Sequence, residues 1–251
     1  MKALILAGGF GSRLEEVTKF IPKPLVKVGK YPILIYIIKI YLKYNVSNFV
    51  IALGYKGEKI PEYFMRSKLN KKDKLKLKTG LTIKKKLFGK ICNITFLNTG
   101  LTSMTGGRVK IAGKFIKDEN FHLTYGDGLS TINLNKLKKF HFHRKKLATI
   151  TAVRPPPRFG ELIIKKENVK SFSEKKTIKT SWINGGFFII NRKFLKLIKN
   201  SNTILEREPL EKATKLNQLC AFKHEGFWQC MDTKRDKDKI TSLIKSKKIN
   251  L

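Results

Sequence analysis

The sequence has 251 residues, with 54 Lys and Arg against 18 Asp and Glu (formal net charge +36), and 41% of it is hydrophobic. That apolar fraction, which includes 17 Phe, excludes a disordered chain, and the length suits one α/β domain with an elaborated C-terminal half. Three cysteines (Cys92, Cys220 and Cys230) with no CxxC spacing exclude a disulfide framework and a zinc-ligand pattern, and read as small buried or idle thiols.

Residues 2–7 are an apolar run that stops at Gly8-Gly9, the pattern of a buried parallel strand entering a turn and too short for a secretory leader. Pro32 opens a helical pattern with Ile33, Leu34, Ile37, Ile38, Tyr41 and Leu42 on one face and Lys39 and Lys43 off it. The stretch from Tyr31 to Leu42 is broken by Lys39 and falls short of a bilayer span, so the expectation is a soluble, cytoplasmic, membrane-free protein. Asn48 to Leu53 is a second strand closed by Gly54, which makes a βαβ unit and hence a parallel, right-handed crossover. Residues 66–90, rich in Lys, read as a surface excursion, either a lid or a hairpin. Further strands are expected at Ile94–Leu97, Phe121–Tyr125, Ala148–Val153, Leu162–Ile164 and Gly186–Ile190. Helical pieces are expected at Leu134–His143, Lys193–Lys199 and Glu211–Lys215. His141 and His143, two apart on a helix, point about 200° from one another and cannot share a metal; both read as surface or partly packed.

The charge alone invites a nucleic-acid partner, but its distribution argues otherwise. Arg supplies only nine of the 54 basic residues, and the Lys are spread along the chain rather than gathered in a stripe. Lys reads phosphate without sequence preference, and an AT-rich coding sequence gives the same Lys, Ile and Asn bias, so no specific nucleic-acid partner is expected.

Two motifs carry chemistry. Directly after the first strand comes Leu6-Ala7-Gly8-Gly9-Phe10-Gly11-Ser12-Arg13-Leu14. Glycines let backbone N–H groups approach a phosphate chain, and Arg13 adds a permanently charged fork. No Gly-Lys-Ser/Thr follows, so this is not a Walker loop, and the third glycine of a dinucleotide fingerprint is missing. Nine residues after the loop, Pro22-Lys23-Pro24 pins one ammonium on a stiff, extended backbone. Asp127 follows a strand and is flanked by Gly126 and Gly128, which leave room for a ligand, and Asp232 follows the aromatic pair Phe227-Trp228. Two such carboxylates suit a hard divalent ion that takes its other ligands from phosphates. Trp182 and Trp228 read as core, with stacking on a base or sugar as the alternative.

Taken together, Gly-Gly-x-Gly-Ser-Arg-Leu and Pro-Lys-Pro resemble the opening signature of the sugar-nucleotide pyrophosphorylases, and the likeness runs over nearly the whole chain. It continues in Gly54-Tyr55-Lys56-Gly57, Ser103-Met104-Thr105-Gly106-Gly107-Arg108, Thr124-Tyr125-Gly126-Asp127-Gly128, Ile183-Asn184-Gly185-Gly186-Phe187-Phe188 and Gly226-Phe227-Trp228-Gln229 through Met231-Asp232-Thr233. The Met-Thr-Gly-Gly-Arg and Phe-Trp-Gln stretches resemble the CTP-using branch, which implies CTP and glucose 1-phosphate as substrates and CDP-glucose as product.

The resemblance implies an α/β fold: a Rossmann-like, mostly parallel (mixed) sheet flanked by helices, with a smaller C-terminal β-rich sugar-side and oligomerisation region. Residues 1–251 form a single domain, of which 1–150 are the nucleotide-binding core and 151–251 the sugar side. It implies Mg²⁺ held by Asp127 and Asp232, and catalysis by Arg13, Lys23 and Asp127. Leu6, Ala7, Gly8, Gly9, Gly11, Ser12, Arg13, Ser103, Arg108 and Gly126 are assigned to the nucleotide, and Lys23, Glu174, Lys175 and Asn184 to the sugar phosphate. The Glu174-Lys175 match is altered, because Lys176 replaces the family's Pro. A homo-oligomer is implied by family alone. The rival expectations are a transferase using UTP or dTTP, and a non-catalytic protein binding nucleoside triphosphates or nucleic acid.

Overall fold

In a computed structural model, which describes residues 1–155, 161–173 and 181–251, the elements run as follows. The first half holds β1 (Ala3–Ala7), the one-turn α1 (Glu15–Thr18), the short hairpin β2–β3 (Lys27–Val28, Tyr31–Pro32), α2 (Ile33–Lys43), β4 (Asn48–Leu53), α3 (Lys59–Met65), α4 (Lys71–Lys76), β5 (Leu81–Leu87), β6 (Lys90–Asn98) and α5 (Thr105–Gly113). The second half holds β7 (Asn120–Tyr125), β8 (Gly128–Ser130), α6 (Leu134–Arg144), β9 (Ala148–Val153), β10 (Glu161–Lys165), β11 (Asn168–Ser173), β12 (Ile183–Asn191), a 3₁₀ stretch (Arg192–Leu197), α7 (Glu208–Lys215), β13 (Leu219–His224), β14 (Trp228–Cys230) and α8 (Lys234–Lys245).

Eight strands form one sheet in the order β13-β9-β12-β7-β1-β4-β6-β5. β7, β1, β4 and β6 are mutually parallel and β13 is parallel to β9, whereas β12 runs antiparallel to both its neighbours and β5 antiparallel to β6. The fold is the expected α/β type with a mixed, mostly parallel sheet. The C-terminal strands β9, β12 and β13 extend the main sheet, and among the described residues only the pairs β10–β11 and β8–β14 (besides the β2–β3 hairpin) stand outside it.

Both faces are covered, which is why β1 reads as an unbroken apolar run. Ala3, Ile5 and Ala7 pack under α2, while Leu4 and Leu6 pack against Val109 and Ala112 of α5 on the other side. The α2 helix is more deeply placed than a one-faced amphipathic pattern predicts. Nine of its eleven residues are buried, so its apolar residues surround it. The β1–α2–β4 unit is as read, with β1 and β4 adjacent and parallel. In the 66–90 segment the structure has α4 and then the β5–β6 hairpin. Lys84 and Lys86 lie on the exposed face of β5 while Ile83 and Leu87 turn inward. α5 and α8 carry too few apolar residues to announce themselves by periodicity. No helix among the described residues is long and apolar enough to cross a membrane.

The chain leaves β1 and β4 at very close quarters. Tyr55 N–H donates to the Gly8 carbonyl at 3.1 Å. A Cβ on Gly54 would lie 2.5 Å from that carbonyl oxygen and 2.4 Å from a guanidinium nitrogen of Arg108, whereas one on Gly9 would meet nothing within 4 Å. His141 lies deeper than the surface or partly packed position expected of it: it is only 3% exposed, with Nδ1 2.8 Å from Thr149 Oγ1 and Nε2 3.0 Å from Asn120 Oδ1. His143 is exposed, as read. Burial pushes the His141 imidazole down to about 4 and the buried His122 down to about 3.

Two outcomes follow. Gly54→Ala is expected to destabilise by about 1–3 kcal/mol through overpacking, while Gly9→Ala leaves the melting temperature unchanged; scanning calorimetry that finds the two variants alike would remove the close crossing as a determinant. Both histidines have folded pKa values below the ordinary value of about 6.5. Their neutral forms therefore contribute stability that is complete above that value and is lost as pH falls toward 4 and then 3. From about pH 7 to about pH 5 the melting temperature is expected to fall by roughly 5–10 °C. His141→Gln, which keeps hydrogen-bonding capacity without the titration, is expected to flatten that slope, and an unchanged slope would exclude His141 as a contributor.

Candidate active site

A cleft of about 540 Å³ opens at the carboxyl ends of the parallel strands β1 and β7 and the N-terminus of α5, where open α/β sheets place their ligands. Its walls carry Leu6 to Arg13 from the end of β1 and the loop after it, Lys23 and Pro24, Thr102 to Thr105 and Arg108 from the approach to α5 and its first turn, Tyr125 to Asp127 at the end of β7, and Asn184, Trp228, Cys230 and Asp232.

At one end of the cleft is a compact ion cluster. Lys23 Nζ lies 2.8 Å from Asp127 Oδ2 and 2.7 Å from Asp232 Oδ1, so two carboxylates 105 positions apart in sequence share one ammonium. Arg13 reaches Asp232 Oδ2 at 3.0 Å from the rim, its side chain 72% exposed. Burial alone would lower the Lys23 pKa, but Asp127 and then Asp232 outweigh it and hold the ammonium above its ordinary value. For Asp232, burial acts upward, and the hydrogen bond and charge of Lys23, with Arg13 behind it, bring the net shift below the usual carboxylate range. Lys23 owes its aim to the extended backbone at Pro22 and the 3₁₀ turn Lys23–Leu25 that follows.

The local structure explains why the acids meet. β8 pairs antiparallel with β14, setting Gly128 opposite Cys230, and Met231 N–H donates to the Asp127 carbonyl at 2.9 Å. This ribbon holds the residues just outside its ends, Asp127 and Asp232, side by side. Asp232 also precedes the N-cap of α8. Thr233 and Asp236 form a capping box, and Asp236 Oδ2 accepts from the Asp232 N–H at 3.2 Å as well. The Asp232 backbone is thereby fixed from both sides.

The structure brings together most of the residues assigned from sequence. Leu6, Ala7, Gly8, Gly9, Gly11, Ser12, Arg13, Lys23, Ser103, Arg108, Gly126, Asp127, Asn184 and Asp232 all line the cleft, while Glu174 and Lys175 lie outside the described residues. Three have geometry that motif spacing does not convey. Arg108 is only 4% exposed; its Nη1 donates to the Leu53 and Gly100 carbonyls and to Thr99 Oγ1, and its Nη2 to the Leu101 carbonyl. It ties the exits of β4 and β6 together directly beneath Gly8. Ser103 Oγ donates to the Thr99 carbonyl. Of the two glycines beside Asp127, Gly128 faces open space, whereas Gly126 packs against the Leu6 carbonyl.

The cleft also holds residues to which the motifs assign no role. Tyr125 ends β7; burial first and the Glu206 carboxylate second raise its pKa, so the phenol stays protonated. Its position directly before Gly126-Asp127 was the available signal. Trp228 lines the cleft and donates from Nε1 to the Gly185 carbonyl at 2.7 Å, so it is neither plain core nor free to swing. Cys230 also lines the cleft, with Sγ 3.5 Å from Asp232 Oδ2; burial and then the neighbouring acids push its thiol up to about 12, which leaves it unreactive.

Among the described residues no three His, Cys, Asp or Glu side chains gather to hold a metal. Asp127 and Asp232 supply two hard oxygen donors at one point, beside a cleft with room for phosphates. That donor set fits Mg²⁺, which is commonly bound by one or two carboxylates and completes its shell with substrate oxygens and water. It does not fit a preformed transition-metal site.

The family model described as nucleotidyl transferase matches residues 2–245. The glucose-1-phosphate cytidylyltransferases of Salmonella typhimurium and Salmonella typhi are each 44% identical to this chain over 240 residues, covering 94% of it and 93% of their own length. Among solved structures, HddC from Yersinia pseudotuberculosis superposes with a TM-score of 0.70 at 24% identity over 97% of this chain and 99% of its own, a likeness of fold. A match spanning nearly all of the sequence, with relatives of equal extent, leads to one conclusion: this chain belongs to the nucleotidyl transferase family.

Proposed function

We propose that this protein is a Mg²⁺-dependent glucose-1-phosphate cytidylyltransferase, which joins CTP and glucose 1-phosphate to give CDP-glucose and pyrophosphate. The observation that carries the reading is the convergence of Asp127, Asp232 and Lys23 at one end of a glycine-lined cleft, in a chain 44% identical to enzymes of that name along nearly its whole length. The reading includes a cytoplasmic homo-oligomer, which is supported by family likeness alone.

In the proposed reaction an oxygen of the sugar phosphate attacks the α-phosphorus of CTP in line. The bond from that phosphorus to the oxygen bridging to the β-phosphate breaks, and pyrophosphate leaves. No covalent nucleophile is needed, so the protein's contribution is alignment and charge neutralisation. The Gly8-Gly9 backbone N–H groups are assigned to the triphosphate, and Arg13, exposed and ion-paired with Asp232, to the departing β- and γ-phosphates. Lys23, held against two acids, serves the α-phosphate or the sugar phosphate when phosphate oxygens compete for its ammonium. Asn184, Glu174 and Lys175 are assigned to the sugar phosphate. Bound Mg²⁺, held by Asp127 and Asp232, would supply positive charge at the reacting phosphates.

Pyrophosphate release measured for the four nucleoside triphosphates against several sugar 1-phosphates is expected to peak with CTP and glucose 1-phosphate. A maximum with UTP or dTTP would correct the base, and no turnover with any pair would overturn the enzyme. Asp127→Asn and Lys23→Ala are expected to lower kcat by about 10²–10³ with the folded state kept, and chelation of the metal is expected to abolish turnover until Mg²⁺ is returned. Wild-type rates in either variant would refute the assigned roles.

A further inference from the structure

Gly106 and Gly107 are not among the residues that line the cleft. A Cβ on Gly106 would stand 2.7 Å from the Thr203 carbonyl oxygen, and one on Gly107 only 2.0 Å from that of Ser201. The first turn of α5 is instead pressed against the backbone of residues 201–205. Met104 N–H donates to the Ser201 carbonyl at 2.9 Å, Gly107 N–H to the Thr203 carbonyl at 3.1 Å, and Leu205 N–H to Thr105 Oγ1 at 2.9 Å. The glycine pair is thus a docking surface for this segment.

What the segment delivers is Glu206. Its Oε2 accepts from Thr105 Oγ1 at 2.6 Å and its Oε1 from the Tyr125 hydroxyl. Tyr125 in turn accepts from Asn184 Nδ2 at 3.2 Å, and Asn184 Oδ1 is held by the Gly186 N–H at 2.8 Å. An unbroken hydrogen-bond chain therefore runs from Thr105 at the start of α5 through Glu206 and Tyr125 to Asn184 of β12. Without the Glu206 carboxylate the Tyr125 hydroxyl hydrogen is free to rotate, so its oxygen no longer offers Asn184 a fixed acceptor, and a recognition site gains specificity when such groups are locked.

We infer that Glu206 is a positioning residue that fixes Tyr125 and Asn184 in the orientation the hexose requires, and that Gly106-Gly107 act by letting residues 201–205 bring it there. This rests on the sugar-nucleotidyltransferase reading above. Glu206→Ala is expected to raise KM for glucose 1-phosphate about tenfold, as loss of one anchoring charged hydrogen bond does, and to leave KM for CTP within about twofold. The preference for glucose 1-phosphate over galactose 1-phosphate is expected to fall by a similar factor. Glu206→Gln keeps an acceptor for Tyr125 and a partner for Thr105, and is expected to restore most of the sugar KM. An unchanged sugar KM in Glu206→Ala, an equal rise in both KM values, or no recovery in Glu206→Gln would each overturn the inference. Should Glu206→Ala fail to fold, Tyr125→Phe keeps the ring packing and breaks the same chain, and carries the same comparison. Calorimetric titration of glucose 1-phosphate into wild type and variant gives the binding ratio without turnover. If the wild-type protein were inactive with every triphosphate, the enzymatic reading would fall, while about tenfold weaker binding by the variant would still uphold Glu206 and equal binding would overturn it.

Discussion

The site depends on one electrostatic arrangement: a lysine ammonium held between two carboxylates at distances of 2.8 and 2.7 Å. Two partly buried acids close together repel each other, which disfavours the doubly charged pair if nothing lies between them. Lys23 removes that conflict and keeps Asp232 ionised. The cluster is therefore stable as it stands, and it is also a set of charges that substrate can rearrange. Phosphate oxygens can compete for the ammonium, and the acids it releases are the oxygen donors that a divalent cation prefers.

The cluster is assembled by three unrelated local devices. A proline-flanked turn aims Lys23, the end of a buried parallel strand presents Asp127, and a short antiparallel ribbon with a capping box holds Asp232. None of these would position a charge alone. The mixed sheet makes them coincide, because the parallel strands β1 and β7 release their loops at the same edge and β8 continues directly from β7 to meet β14. Arg108 works a layer below. With its donors spent on carbonyls after β4 and β6, it supports the floor on which Gly8 rests.

Much of this was legible in the sequence, and the parts that were not share physical reasons. Strands buried on both faces, such as Ala3–Ala7 and Asn48–Leu53, announced themselves as apolar runs, and the cleft residues carried by glycine-rich motifs were found by the motifs. α8 was missed because its charged residues hide a sparse apolar face, although its capping box Thr233-x-x-Asp236 was there to be read. His141 was misplaced because helical spacing does not say which side of a helix meets a sheet, and Thr149 and Asn120 lie on other elements. Arg108 carries a motif's signature, yet what its guanidinium touches is decided by carbonyls 7 to 55 positions away. Glu206 belongs to no motif at all, and its place becomes visible only when residues 201–205 are seen against Gly106 and Gly107.

The hairpin that ends the sheet has a further consequence. Among the described residues β5 pairs on one side only, with β6, and Lys84 and Lys86 crowd its exposed face. A second chain trying to lengthen the sheet by lying along that margin would bring its own ammonium groups alongside these, and the like charges would drive it off. The lysine-rich stretch thus makes this margin of the sheet a poor template for backbone pairing, and leaves β13 as the margin at the sheet's other end.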